Sequence, residues 1–485
     1  MQFYQVALLG FVPLTLLLFA MLPARRAMVM AVVGGALFLP EGRGLPIFGF
    51  EALGYFKASA ITFGCGLGVL LFDTNRLLSF RPRWFDGFAV VLGVTGIISS
   101  LTNGLGFRDG IFEAVIAIWL WTIPYFLGRL YFSDLAGIRE LAIGIVGGAV
   151  AYVPLCLIEI RMSPQLHSWV YGYAQHQFAQ SIRFGGYRPV VFLPHGLAVG
   201  VYMAVASIIA WWLWSTKSVT RLWGVPSGWV AGVLVATTVL VKSGNGYVFL
   251  TVGLGVLYGA KWLRSALPLI VLCAVPLAYC ATRATGAFDG QIALTVAEAF
   301  LGEARAGSLA YRFEMENRLA ARAMERPLFG WGGHGRNRLV SETALGERTV
   351  ITDGLWIITF GKWGAAGLVS LIATLTLGTW LLPRRFPAWT WSTPQAGAVA
   401  PVALAALIHM LDSLPNGMPS AVFCVAAGAA AGLQSLPGVA RTAAPAADTR
   451  PLWQRRLAQL KGRGRSPAVA ASPHTLPGRP VVART

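Results

Sequence analysis

Residues 326–338, RPLFGWGGHGRNR, set Gly330, Gly332, Gly333 and Gly335 among two aromatic rings, His334 and three arginines, of which Arg336 lies deepest in the glycine run. Those residue types can grip an anion. Glycine lets backbone N–H groups turn toward a phosphate, and a guanidinium holds phosphate oxygens two at a time. The nucleotide-loop pattern GxxxxGK[ST] is absent, and glycines with positive φ also serve a plain tight turn. His334 reads either as a base or as a surface histidine of that turn. A second segment, SPQLHSWVYGYAQHQFAQSIRFGGYRPVVFLPHGLAVG, carries Arg183 and Arg188 with His167, His176 and His195, and Trp169, Tyr171, Tyr173 and Tyr187 beside them. Such rings stack on the apolar faces of sugars, and they also gather at membrane interfaces. The histidines are irregularly spaced and have no carboxylate among them, which argues against a metal site.

Further groups complete the inventory. GSLAYRFEMENRLAARAMER has the period of a helix and holds Arg312, for which Glu316 at i+4 is an ordinary surface partner. Lys242 stands in KSGNGYVFL. Asp353 immediately precedes a long apolar run, where it serves as helix N-cap, as proton acceptor, or as both. His409, Asp412 and Asn416 fall at helical spacing, which fits an acceptor groove or a capped turn between spans.

The elements that must position these groups are membrane spans. The chain has 485 residues, of which 56% are hydrophobic and only 12% charged, against about a quarter charged in soluble domains. Apolar runs fall near 4–22, 27–40, 57–72, 87–102, 111–129, 137–160, 190–214, 223–242, 246–260, 265–282, 354–382, 396–411 and 418–436. They predict an all-α polytopic membrane protein with about 12–13 transmembrane helices, the runs 27–40 and 246–260 being short for a full crossing. The five cysteines all lie inside apolar runs and read as small buried hydrophobes. The net charge of +19 is not a nucleic-acid signature, because the cations sit at span ends, in one long loop and in one tail.

Four parts follow: an N-terminal transmembrane bundle over 1–282 that includes the outer loop 161–189, a large extracytoplasmic helical loop over 283–353, C-terminal spans over 354–436, and a basic, disordered tail over 437–485. Short loops bearing Arg25 and Arg26, Arg81 and Arg83, Lys217 and Arg221, and Arg384 and Arg385 define the cytoplasmic side by the positive-inside bias, and the tail falls there too. The opposite side receives 41–56, 161–189, 283–353 and 412–417. Two of these loops are long and rich in arginine, against the bias, and an anionic ligand is a reason for that.

ERPLFGWGGHGRN followed by TDGLWIITFGKWGAAGLVSL resembles the C-terminal signature of the O-antigen ligase and O-antigen polymerase superfamily, a "PLFGxG" turn and then a "GxxG" entry into a span. RFGGYRPVVFLPHGLA is similar to the upstream arginine–glycine motif of that family, and KSGNGYVFL more weakly to its serine–basic–glycine turn. The motifs cover about a fifth of the chain. The resemblance implies a membrane glycosyltransferase of the bacterial inner membrane. It would use a polyprenyl-diphosphate-linked oligosaccharide at the outer face and transfer the glycan to an acceptor glycan or lipid, with no metal or other cofactor. Arg183 and Arg312 match the arginines that bind the diphosphate, with Arg188, Arg336 and Lys242 as further contacts.

In the ligases a histidine precedes the last "GxxG" span as the proposed base. With Gly364 and Gly367 in register, Asp353 occupies that position here, and His334 and His195 are rivals for the role. The replacement leans toward a polysaccharide polymerase. Its partners would be membrane lipids and other polysaccharide assembly and export proteins. Two other classes stay open on the residues: a transporter or flippase for a lipid-linked glycan, and a scaffold subunit of an envelope assembly complex.

Overall fold

The computed structural model describes residues 2–436 apart from 48–49, 184, 289, 292–293, 296–297, 299–302, 334, 344–345 and 350–352. The tail 437–485 and His334 therefore lie outside the described residues. The segments 1–282 and 354–436 pack within one compact unit, Met1–Gly438.

The chain is an all-α membrane fold. The N-terminal helices are α1 (Phe3–Met21), α2 (Ala24–Phe38), α3 (Lys57–Phe72), α4 (Thr74–Leu78), α5 (Gly87–Thr102), α6 (Phe107–Ala117), α7 (Ile123–Tyr131), α8 (Leu135–Met162) and α9 (Leu166–Tyr171). They are followed by α10 (Gly196–Ser215), α11 (Ser227–Leu240), α12 (Gly244–Leu263), α13 (Leu267–Ala284), α14 (Glu303–Met324), α15 (Leu355–Arg385), α16 (Val399–Ser413) and α17 (Ala421–Gly432). Among the described residues, 8 helices are long and apolar enough to cross a membrane, and four shorter apolar helices accompany them. The helix α2 spans 15 residues, as short as its apolar run suggested. The run 246–260, expected to be partial, is instead the 20-residue α12, because Gly244 and the Lys261 turn extend it at both ends.

Four two-stranded hairpins sit between helices, pairing β1 (Leu45–Ile47) with β2 (Phe50–Tyr55), β3 (Ile182–Arg183) with β4 (Gly186–Tyr187), β5 (Arg221–Leu222) with β6 (Val225–Pro226), and β7 (Val340–Thr343) with β8 (Gly346–Thr349). The last of these places a hairpin in the outer loop that was expected to be helical. The first helix expected in that loop, over 291–304, falls largely outside the described residues, and the second is α14.

The helices α10, α16 and α17 are buried along nearly their whole length and form the centre of the bundle. Small residues allow this closeness. A Cβ at Gly128 of α7 would strike the Val425 carbonyl, and one at Gly428 of α17 would strike the Tyr125 carbonyl. Backbones that touch through glycine and alanine gain van der Waals contact that larger side chains would prevent. A buried ion pair links α7 to the turn ahead of α5. Arg129 donates to both oxygens of Asp86 at 2.7 and 3.0 Å, and Tyr125 adds a third bond.

Candidate functional site

The predicted site residues divide between two places. Arg183 stands in β3 and Arg188 just beyond β4, so one hairpin carries both. That loop is fixed from below by Glu159 in the last turn of α8. Its carboxylate accepts the N–H groups of Val190 and Val191, both at 2.8 Å, and of Leu166 at 2.9 Å. A buried carboxylate with three backbone donors is a rigid anchor.

Arg188 is only 4% exposed. Its Nη2 donates to the Gln180 carbonyl at 2.8 Å, while its Nε is buried with no partner among the described residues. Burial first, then the Arg183 charge, lowers its pKa to about 10, so it stays cationic at neutral pH. Arg183 is exposed and makes no ion pair among the described residues. The Lys242 amine, carried in the left-handed turn between α11 and α12, lies directly against Gly186, where a Cβ would collide with its Nζ. The sequence separates these cations by more than fifty positions. The fold sets them around one hairpin.

His195 caps α10. Its Nδ1 accepts the Leu197 N–H at 3.0 Å, which puts the proton on Nε2, 3.2 Å from Gln180 Oε1. Both ring nitrogens are therefore engaged. Burial pushes its pKa down to about 3, and Arg188, His176, Arg183 and Arg312 lower it in that order. The His176 ring stands 4.2 Å from the His195 ring. A neutral, doubly occupied imidazole positions the start of α10 and is a poor proton acceptor.

Arg312 comes from α14, the far side of the sequence. Its partner is not Glu316. The Glu316 carboxylate is buried and held by Arg283 at 3.2 Å and Tyr279 at 3.2 Å, which ties α14 to α13. Burial raises the Glu316 pKa, and Arg283 opposes that. Arg312 turns the other way, to Asp353, with Nη2 3.7 Å from Oδ2. Both are well exposed, and this is a loose ion pair rather than a hydrogen bond. Asp353 is not the side-chain cap of α15, whose N-cap is Gly354.

Near this pair lies a cavity of about 130 Å³ with Glu41 and Lys57 among its lining. Pro194, next to His195, and Met418 also line it, while Gly417 packs on the Asp353 carbonyl. Deeper in, His409 and Asp412 face the same space. Asp412 accepts from Asn245 at 2.7 Å and Asn416 at 3.3 Å, and Asn416 also closes the turn onto the Asp412 carbonyl at 3.1 Å. Asp412 thus belongs both to the capped turn and to the cavity lining. His409 Nε2 is buried without a partner among the described residues.

The glycine string belongs elsewhere. Gly364 breaks α15 with φ 63°, which leaves backbone groups on either side of the kink without helical partners. Residues 327–332 supply them. Trp331 and Gly332 donate to the Gly361 and Lys362 carbonyls, both at 2.9 Å, and Ala365 and Ala366 donate to Pro327 and Leu328 at 2.7 and 3.1 Å. Gly330 and Gly364 face each other so closely that a Cβ on either would strike backbone. From α5, Asn103 holds the Gly330 carbonyl at 2.8 Å and Ser99 the Lys362 carbonyl at 2.8 Å. Arg336 is committed to Asp109 at 2.7 Å, and Lys362 to Glu113 at 2.6 Å. So Arg336, expected among the ligand contacts, is the outer bolt of a backbone clasp.

Gln180 was missed by sequence reasoning, yet it holds both Arg188 and His195. Nothing in its spacing marks it, since only the folded loop brings it there. Among the described residues no group of three or more His, Cys, Asp or Glu is placed to hold a metal ion. No family model, curated protein or solved structure matches the chain.

Proposed function

We propose that the protein is a membrane glycosyltransferase of the O-antigen ligase and polymerase type, leaning to polysaccharide polymerase, that works at the outer face of a bacterial inner membrane with its basic tail in the cytoplasm. The observation that carries this reading is the convergence of Arg183, Arg188 and Lys242 on one hairpin, with Arg312 near enough to depress His195. Among the described residues Arg183 and Arg188 form no ion pair, and Arg312 meets Asp353 only loosely. Such a cationic cluster suits a diphosphate, whose leaving charge guanidinium groups stabilise. The resemblance of the 183–198 and 325–371 segments to the family's motifs supports the same class.

In the proposed reaction an acceptor hydroxyl oxygen attacks the anomeric carbon of the lipid-linked glycan from the face opposite the phosphate. The bond from that carbon to the phosphate oxygen breaks, its electron pair leaves with the polyprenyl diphosphate, and the configuration inverts. The hydroxyl proton passes to the Asp353 carboxylate. Arg312 links binding to chemistry in this scheme. Diphosphate draws the guanidinium off Asp353 and leaves the carboxylate free to accept the proton. His409 and Asp412 line the cavity that receives the acceptor.

The test is purified protein in lipid vesicles with a defined polyprenyl-diphosphate oligosaccharide. Elongation or transfer of the glycan with release of polyprenyl diphosphate is expected. Movement of the lipid across the membrane with no new glycosidic bond would overturn the reading in favour of transport, and neither outcome would leave a scaffold.

A further inference from the structure

At the end of α15 away from Asp353, a second group of cations has no internal counter-charge. Beyond its kink at Gly364 the helix continues to Arg385, about 21 residues or about 32 Å at the α-helical rise, enough to cross a bilayer core and end at the membrane face away from Asp353. Arg384 and Arg385 in its last turn, Arg83 and Trp84 ahead of α5, and Leu381 and Gln434 line one open groove of about 490 Å³. None of the three arginines forms an ion pair among the described residues.

The sequence explains why. The nearest acid to Arg83 is Asp86, and both its oxygens are already taken by Arg129. No Asp or Glu occurs between Asp353 and Asp412, so α15 brings no acid to its own arginines. Guanidinium groups do not deprotonate at working pH. Three fixed positive charges therefore share a groove that needs an anion from outside. The chain's own tail does not supply one, since residues 437–485 hold nine Lys and Arg against the single Asp448.

The surroundings select the anion. Trp84 is 68% exposed at the groove, where an indole sits well at headgroup level. Along α5 from that point, Val90, Val91 and Val94 are exposed to the membrane, a track for an acyl chain. We propose that this groove binds an anionic glycerophospholipid, its phosphodiester held between Arg83 and the Arg384–Arg385 pair and its glycerol against Trp84. Arginine suits the task because its planar donors match phosphate oxygens, and basic pockets between spans recognise anionic headgroups in this way.

The experiment titrates dioctanoyl phosphatidylglycerol into the detergent-purified full chain and follows Tm. Dioctanoyl phosphatidylcholine serves as the neutral lipid, and inorganic phosphate as the headgroup charge without a lipid. A saturable rise in Tm with phosphatidylglycerol alone is expected. In the variant Arg83→Gln/Arg384→Gln/Arg385→Gln the midpoint should move by about tenfold or more. A control that removes three cations elsewhere, Lys217→Gln/Arg221→Gln/Arg264→Gln, should respond as the parent does. Should the triple variant not accumulate, Arg83→Gln and Arg384→Gln singly, both at exposed side chains, should each weaken the response severalfold. Equal responses to the two lipids, a full response to phosphate, an unchanged groove variant, or an equal loss in the control would each overturn the proposal.

Discussion

Two segments are rich in arginine, and the fold treats them differently. Around RPLFGWGG most cations are paired or bonded internally: Arg336 with Asp109, Lys362 with Glu113, Arg322 with Glu325, and Arg326 with Asn103, while Arg338 is exposed. Around RFGGYR they are gathered and left with little internal counter-charge, Arg183 exposed, Arg188 with a buried unpartnered Nε, and Arg312 in a 3.7 Å contact with Asp353. A paired arginine stabilises the fold and is electrostatically spent. An arginine held in place without a partner keeps its charge for something that arrives. The lesson is that arginine content does not locate an anion site, while the supply of nearby carboxylates does.

That contrast can be broken in stated ways. The largest effect is expected from Asp353→Asn, which removes the proposed proton acceptor and should lower kcat by about 10²–10⁴-fold with little change in KM; steady-state transfer assays decide it. Arg183→Ala and Arg312→Ala should each cost about 10²–10³ in rate, with membrane insertion and Tm unchanged. Polymer at the parental level in both variants would remove the diphosphate role.

In the clasp the effects should appear in stability. Gly364→Ala puts a Cβ into the Leu328 backbone at a φ of 63°, and should destabilise the fold by at least about 2 kcal/mol, read as a fall in Tm. Arg336→Gln should cost about 1 kcal/mol or less and leave transfer within about threefold of the parent.

A smaller effect concerns pH. The pKa of His195 is pushed down to about 3 in the folded protein, below the unfolded value near 6.5. The unfolded chain therefore binds more protons between these values, and stability is full above pH 6.5 and declines as pH falls through that window. His195→Asn keeps a capping side chain and should flatten the upper part of the decline in Tm against pH. An unaltered profile would show that His195 is not held neutral.

Much of the fold was readable because membrane spans announce themselves by composition. The apolar runs correspond to helices, the run 111–129 to α6 and α7 in succession, since a backbone in the bilayer core must satisfy its own polar groups. The full length of α12 was harder, because run length alone does not say where capping residues extend a helix. The arginines of the site were legible as types but not as neighbours. Arg312 and Glu316 have ideal helical spacing, yet Arg283 and Tyr279 on α13 claim the Glu316 carboxylate. The role of the glycine string depended on a kink at Gly364 that has no local signature beyond the glycine itself. His334 and the tail lie outside the described residues.

The most direct measurement is the affinity of the purified protein for polyprenyl diphosphate carrying no sugar, compared across Arg183→Ala, Arg312→Ala and Arg336→Ala. The account predicts binding to the parent and to Arg336→Ala alike, with loss of at least about tenfold in the other two, as expected for charge-assisted contacts to phosphate. Equal weakening in all three, or in Arg336→Ala alone, would contradict it.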